Sequence, residues 1–499
     1  MRLLLGIDLG TSGAKAYLMD QDGQRVGLGY TPLRRLHPQP DWTEQDPWDV
    51  TRGAAQAIDL ALADAGATPA DILAVGIASQ RDSDFVWDAA SGQPLGNAIT
   101  WQDLRTTPLV DELDRWPLAG QRRHHLGYFP GPWCAALHLS WRAQHQPAFA
   151  EAMAQGRLRV GMAAGWLLAS MGQPSAHVHD YSLLQKTGLW DMRGQCFWQP
   201  WVERLGLRTD GLPTPVPTLH DFGTLSIGGR AVPVLAMLGD QQAALFGHGA
   251  RAAGEAECTH GTVTFVDVVA GDTPPELEGI NVYHAWSLPA ADGLHHTYCL
   301  EADTTTSGAA ARWLATQGGI LSAEQDLDAV ARSVPDAGGV LFVPAFTGLN
   351  VPYHDHAARA AILGMSLGSD RAHIVRALLD AIGFQVRAIL ETIHADTGLR
   401  VAQLNVGGGL SASDLTCQVQ ADLLGIPVVR PAERETTGRG AALLAGLGAG
   451  VWRSLDELPE LPSGATVFEP RLVDDQRNAR YARWGQAVEM VQQFGQVNS

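Results

Sequence analysis

Unbroken apolar runs alternate with helix-period stretches along this chain. Leu3–Ile7, Ile72–Ala78, Phe85–Trp87, Val232–Leu238 and Val401–Val406 are short and bounded by glycine or polar residues. They read as buried strands. Ala16–Met19 can pair with the first across a glycine-bearing turn, and Asp22-Gly23 and Ser91-Gly92 mark further turns. Other segments carry the helical period. Trp48–Leu62 sets Val50, Ala54, Ile58 and Ala61 near one face, and Arg371–Thr397 sets Ile374, Leu378, Ile382, Val386, Ile389 and Ile393 along one stripe. Asp414–Leu424 is a further helix, and Gly440–Leu447 is a helix of small residues able to pack closely. Strand and helix patterns alternate in both halves, so an α/β architecture is expected in each.

At 499 residues the chain exceeds what a single core serves, and two domains are expected. The boundary is placed near residue 250, in the small, polar stretch Gly247–Gly254, which gives domains 1–250 and 251–499. The formal charge of -18 argues against nucleic acid as the main partner. The cysteines Cys134, Cys196, Cys258, Cys299 and Cys417 are scattered without a CxxC pair, so neither a disulfide framework nor a zinc knuckle is expected. That usage fits a reduced cytoplasm. Asp8 comes too early for a signal peptide, and no apolar run is long enough to span a bilayer. A cytoplasmic protein without a membrane partner is the expectation; a homodimer is compatible with it.

Two segments carry the chemistry. Gly6-Ile7-Asp8-Leu9-Gly10-Thr11-Ser12-Gly13 follows a strand with an acid, glycines and hydroxyls. A glycine-bearing hairpin brings backbone N–H groups to phosphate oxygens. Thr11 and Ser12 add hydroxyls, Asp8 can orient magnesium directly or through water, and Lys15 can offset triphosphate charge. Lys15 is notable because Lys186 is the only other lysine. Taken alone, the segment reads equally well as a tight hairpin with one exposed lysine. Gly239-Asp240-Gln241-Gln242 ends the run Val232–Leu238 and offers Asp240 as a general base. Gln80-Arg81-Asp82 supplies donors and acceptors of the kind a polyol needs, although a surface ion pair is the commoner reading. Trp101 and Phe265 can form apolar walls, and the loop Tyr128-Phe129-Pro130-Gly131-Pro132 can bring a phenol to the substrate. Gly261-Thr262 alone is a turn before the strand-like run Val263–Val269. Gly407-Gly408-Gly409-Leu410-Ser411-Ala412-Ser413 joins a strand to a helix and can admit a flat ligand at the helix start. His124-His125, His295-His296 and His354-Asp355-His356 lack the spacing of a metal site and read as solvated loops.

Together these blocks resemble the FGGY carbohydrate kinases over nearly the whole chain. The amino-terminal motif Gly6–Lys15 and Asp41-Trp42-Thr43-Glu44-Gln45-Asp46-Pro47 are similar to xylulokinases. Ser79–Asp82, Asn97–Gln102, Gly239–Gly247 and Pro344–Leu349 are similar to glycerol kinases. The resemblance implies two actin-like (ribonuclease H-like) ATPase domains flanking a deep cleft, the acceptor mainly on the first and the nucleotide mainly on the second. It implies ATP and Mg2+ as cofactors, with Asp8 serving the metal. Asp240 is the implied base, and Arg81, Asp82, Trp101, Tyr128, Asp240, Gln241 and Phe265 the implied acceptor pocket. Thr11, Ser12, Lys15, Gly261, Thr262, Gly408, Gly409 and Ser413 are the implied nucleotide positions.

Three departures stand out. Glycerol kinases carry glutamate at Asp82, so the carboxylate should retreat by roughly 1.5 Å, one C–C bond, and leave room for a longer acceptor. Gly131-Pro132-Trp133-Cys134 replaces a lysine-bearing stretch, and Gly407 and Ser413 stand where an acid and an asparagine are usual. Arg81-Asp82 also replaces the methionine-histidine pair of xylulokinases. The expectation is an ATP-dependent kinase of a short ketose or polyol, xylulose first and glycerol as the alternative. An actin-like ATPase without a sugar acceptor is the competing class.

Overall fold

The computed structural model describes residues 2–290 and 292–497. Two seven-stranded mixed sheets dominate it. The first is built from β1 (Leu3–Leu9), β2 (Gly13–Met19), β3 (Arg25–Pro32), β4 (Ile72–Ser79), β5 (Gly172–Pro174), β6 (Leu219–Ile227) and β7 (Arg230–Gly239), in the order β3-β2-β1-β4-β7-β6-β5. β1 runs antiparallel to β2 but parallel to β4, and β4 parallel to β7. The second sheet uses β8 (Ala256–His260), β9 (Thr264–Gly271), β10 (Asn281–Ala290), β11 (Gly293–Asp303), β12 (Leu404–Gly408), β13 (Val428–Arg430) and β14 (Thr466–Phe468), in the order β10-β11-β9-β8-β12-β13-β14. It repeats the theme: β8 is antiparallel to β9 and parallel to β12. The hairpin turns β1–β2 and β8–β9 thus occupy equivalent corners of two related sheets. That equivalence gives Gly261-Thr262 a meaning that its local sequence lacks.

Helices cover the faces. α1 (Pro47–Ala65) begins at Asp46, whose carboxylate accepts from the Trp48 N–H, and ends at Gly66, whose φ of 59° suits the left-handed cap. It is joined by α2 (Tyr181–Gln185), α3 (Asp240–Gly247), α4 (Arg371–Thr397), α5 (Asp414–Leu424) and α6 (Thr436–Gly448). Both faces of β1 are buried, as an unbroken apolar run requires. Leu3, Leu5, Ile7 and Leu9 pack with Ala54, Ile58 and Ala61 of α1, whereas Leu4 shares a cluster with Leu443 and Leu444 of α6. Expected Trp48–Leu62 and Val401–Val406 are observed as Pro47–Ala65 and Leu404–Gly408. Gly409–Ala412 forms a single 3-10 turn before α5.

α6 lies late in the chain yet packs against the first sheet. The contact is backbone on backbone: a Cβ on Gly6 would stand 1.9 Å from the Gly438 carbonyl oxygen, and one on Gly76 would stand 2.0 Å from that of Ala441. Replacement Gly76→Ala should therefore cost roughly 1–3 kcal/mol by overpacking, read as a lower melting temperature in a thermal scan. An unchanged midpoint would contradict the seam. Among the described residues no helix is long and apolar enough to cross a membrane.

Candidate active site

Three parallel strands of the first sheet end level with one another. Asp8 of β1 pairs in register with Ala78 of β4, and Ser79 of β4 with both Leu9 and Gly239. Their carboxyl ends place Asp8, the segment Gln80-Arg81-Asp82 and Asp240 at one edge, where open α/β sheets bind ligands. Asp240 is the first residue of α3, and its Oδ1 accepts from the Gln241 N–H at 2.9 Å. Arg81 Nε lies 3.3 Å from Asp240 Oδ1, and Arg81 Nη1 lies 2.6 Å from Glu301 Oε2 on β11. One guanidinium thus spans the candidate base and a carboxylate of the opposite sheet.

The β1–β2 corner is tied to this edge. Gly10 N–H donates to the Gly13 carbonyl at 3.0 Å, closing the turn. The Thr11 hydroxyl donates to Gln80 Oε1 at 3.0 Å and accepts from Trp101 Nε1 at 2.8 Å. Trp101 therefore leans on the phosphate-type turn while its ring stays 41 % exposed, leaving a face for a carbon skeleton. Ser12 is exposed at the tip. Lys15 Nζ meets Glu435 Oε2 at 2.6 Å, just before α6. Burial raises the Asp8 carboxyl to about 7, Lys15 opposes this, and Asp240 and Glu435 add to it. Burial also raises Asp240, against the pull of Arg81. Negative charge is concentrated here, and a cation would relieve it.

The equivalent corner of the second sheet is open. Gly261 and Thr262 are exposed, the Gly261 N–H donates to Val263, and the Thr262 carbonyl accepts from the Ala309 N–H at 3.0 Å. Gly408 has a φ of 81°, and Gly409 has nothing within 4 Å of where a Cβ would stand. Gly409 and Ser413 border a cleft of about 440 Å³ shared with Glu324, Asp328 and Arg332. The Ser413 hydroxyl caps α5 and bonds Asp328. Phe265 sits on β9 opposite Asp303 of β11. Tyr128 is fully buried; its hydroxyl faces the Gln185 carbonyl at 3.4 Å and Cys134 Sγ, so the ring face rather than the phenol points towards Asp82's neighbours.

Sequence reasoning missed four participants: Lys186, Tyr283, Glu301 and Glu435. Lys186 Nζ pairs with Asp82 Oδ2 at 2.7 Å, in the space that the shortened side chain was expected to open. Its signal was rarity, one of two lysines in the chain. The others sit far away in sequence and carry no motif.

Residues 3–247 match the N-terminal domain of the FGGY family of carbohydrate kinases, and residues 256–449 match its C-terminal domain. A glycerol kinase of Symbiobacterium thermophilum is 37% identical over 489 residues, covering 97% of each chain. One from Bordetella parapertussis is 36% identical over 491 residues, covering 98% of this chain and 96% of that one. Among solved structures, a Plasmodium falciparum glycerol kinase with ADP superimposes with a TM-score of 0.91 at 26% identity, covering 98% of both chains. A xylulose kinase from Brucella ovis gives 0.85 at 25% identity, covering 98% of this chain and 100% of that one. The fold is thus the actin-like, ribonuclease H-like one. With both family domains matched in order along it, the chain belongs to the FGGY carbohydrate kinases, ATP-dependent phosphotransferases.

Proposed function

We propose that this kinase phosphorylates a terminal hydroxyl of glycerol or a polyol of similar length. One observation carries the reading. Asp82 Oδ1 and Gln241 Oε1 are buried without a hydrogen-bond partner, beside the 2.6 Å ion pair of Arg81 and Glu301. Buried polar atoms are rarely left so. Two such atoms, on the residues next in sequence to Arg81 and Asp240, suit a small molecule that carries several hydroxyls. The relatives' names agree with this triol reading better than with the xylulose first expected.

Asp240 would hold the attacking hydroxyl and take its proton as phosphoryl transfer proceeds. Its raised affinity for protons, set by burial, suits that task. Arg81 would orient the acceptor and keep Asp240 in place. The β1–β2 turn would offer the Thr11 and Ser12 N–H groups and the Ser12 hydroxyl to ATP phosphates from the first sheet, with Gly261-Thr262 facing them from the second. Gly409 and Ser413 border a cleft of about 440 Å³, of a size for the nucleoside, and Gly408 precedes it in the chain.

Magnesium fits the residues present. Burial lifts the Asp8 carboxyl to about 7, with Asp240 and Glu435 adding to the rise against the pull of Lys15, so a cation beside it would favour its charged form. Among the described residues no cluster of three acidic, histidine or cysteine ligands forms a closed cage; magnesium in kinases needs only one or two carboxylates beside phosphates and water. When bound, the ion would neutralise phosphate charge.

The test is ADP release across glycerol, erythritol, pentitols and pentuloses, ranked by kcat/KM. Glycerol should lead. A pentulose ahead of glycerol would restore the ketose reading, and ATP hydrolysis indifferent to every alcohol would remove the acceptor pocket.

A further inference from the structure

Lys186 directly follows α2, and its position is clamped from both sides. Asp180 caps α2, accepting from the Leu183 N–H at 3.0 Å. At the other end the Gln185 amide donates to the Leu126 and Val282 carbonyls, each at 2.8 Å, and accepts from the His284 N–H at 2.8 Å. The lysine side chain that follows is 3 % exposed. Its ammonium lies 4.5 Å from the ring centre of Tyr128, 5.0 Å from that of Trp133 and 4.4 Å from that of Tyr283. It also donates to the Tyr283 hydroxyl at 3.2 Å. Ring faces attract a buried cation through their quadrupoles.

The ammonium's other partner is Asp82 Oδ2, at 2.7 Å. Asp82 itself has a φ of 56°, a conformation uncommon outside glycine, which signals a site held against its local preference. The pair consumes one carboxylate oxygen and leaves the other, Oδ1, buried and unpartnered. A buried ion pair is ordinarily completed by hydrogen bonds to the carboxylate's remaining oxygen, and Asp82 Oδ1 has none. Here the lysine fixes which oxygen is offered, and fills the recess left by the shorter acid.

We propose that Lys186 is a specificity-determining, positioning residue: it aims Asp82 Oδ1 at the acceptor's far hydroxyl and blocks acceptors longer than a short polyol. The inference rests on the acceptor pocket assigned above and deepens it. An acceptor with its reacting hydroxyl at Asp240 extends towards Asp82, and a longer carbon chain would have to enter the ring-lined space that the ammonium holds. Lysine flexibility does not relieve this, because the rings, two from the loop Tyr128–Trp133 and one from β10, surround the cation.

The experiment uses the full-length enzyme and the variants Lys186→Ala, Lys186→Met and Lys186→Arg. Each is assayed for kcat and KM on glycerol, erythritol, xylitol and xylulose at saturating ATP, with polyol-induced thermal shifts measured in parallel. Lys186→Ala should move the ratio of kcat/KM for a five-carbon acceptor over glycerol upward by roughly tenfold or more, the scale of a methylene's discrimination. Lys186→Met keeps the bulk but not the charge; it should raise the KM for glycerol roughly tenfold while the KM for ATP holds, and should not admit the longer acceptor. Lys186→Arg should return glycerol's KM towards the wild-type value. Folded variants whose acceptor ratio and glycerol KM stay within about twofold of wild type would overturn the inference. Should Ala fail to fold, Met and Arg still decide it through KM. Wild-type enzyme that neither turns over nor is thermally shifted by any of these alcohols would instead overturn the underlying pocket assignment.

Discussion

Asp240→Asn should lose roughly 10²–10⁴-fold in kcat, the range that a positioned general base supplies, while nucleotide affinity stays near wild type. The substitution keeps size and most hydrogen bonding but removes the proton acceptor. Asp240 begins α3 at the carboxyl end of β7, so the fold around it is set by backbone pairing with β4 rather than by its charge. The variant should therefore fold. Its ADP affinity, measured by calorimetry, separates loss of chemistry from loss of the site. The pH profile of the wild-type enzyme adds a sign. Asp240 must be ionised to act, and burial raises its pKa. Activity should fall on acidification, starting above the ordinary carboxylate range. A folded Asn variant with near-normal kcat would remove Asp240 from the base role.

Asp8→Asn should separate stability from activity in the opposite direction. In the folded protein the Asp8 carboxyl titrates at about 7, against an ordinary 3.8. Between those values the native state binds more protons than the unfolded one, so stability falls as pH rises through the interval. Asparagine abolishes that penalty. Without metal, the variant should melt at a higher temperature than wild type at pH 8, and at about the same temperature near pH 4. Mg2+ should raise the wild-type melting temperature more at pH 8 than at pH 5, and the variant should lose that increment. Turnover should drop by roughly 10²–10³-fold, as when a group stabilising transition-state charge is removed. Equal melting at pH 8 would show that Asp8 carries no buried-charge cost. Undiminished turnover would free it from the metal role.

Much of the candidate site's placement was legible because strand ends advertise themselves. Asp8, Arg81 and Asp240 each follow an apolar run, and parallel pairing of β1, β4 and β7 makes such ends converge. Helix α4 was legible from its stripe, since Leu378, Ile382, Val386, Ile389 and Ile393 are all buried. What the residues could not say locally was who fills the gaps. Glu301 reaches Arg81 from the end of β11 away from its hairpin turn, and Lys186 reaches Asp82 from behind a short helix. Neither pairing leaves a spacing to read. The recess expected at Asp82 was inferred from one side chain's length, and its true occupant came from elsewhere. Tyr128 shows the same limit: the loop was placed, but burial against Lys186 turned its hydroxyl towards a backbone carbonyl.

The glycine seam beneath β1 and β4 bears on how the chain can be divided. Because α6 follows β8–β13 of the second sheet in the chain yet seats on the first, a fragment ending near residue 250 would leave Gly6 and Gly76 without a cover. The amino-terminal half, translated alone, lacks the lid for its own central strands and depends on sequence still to be synthesised.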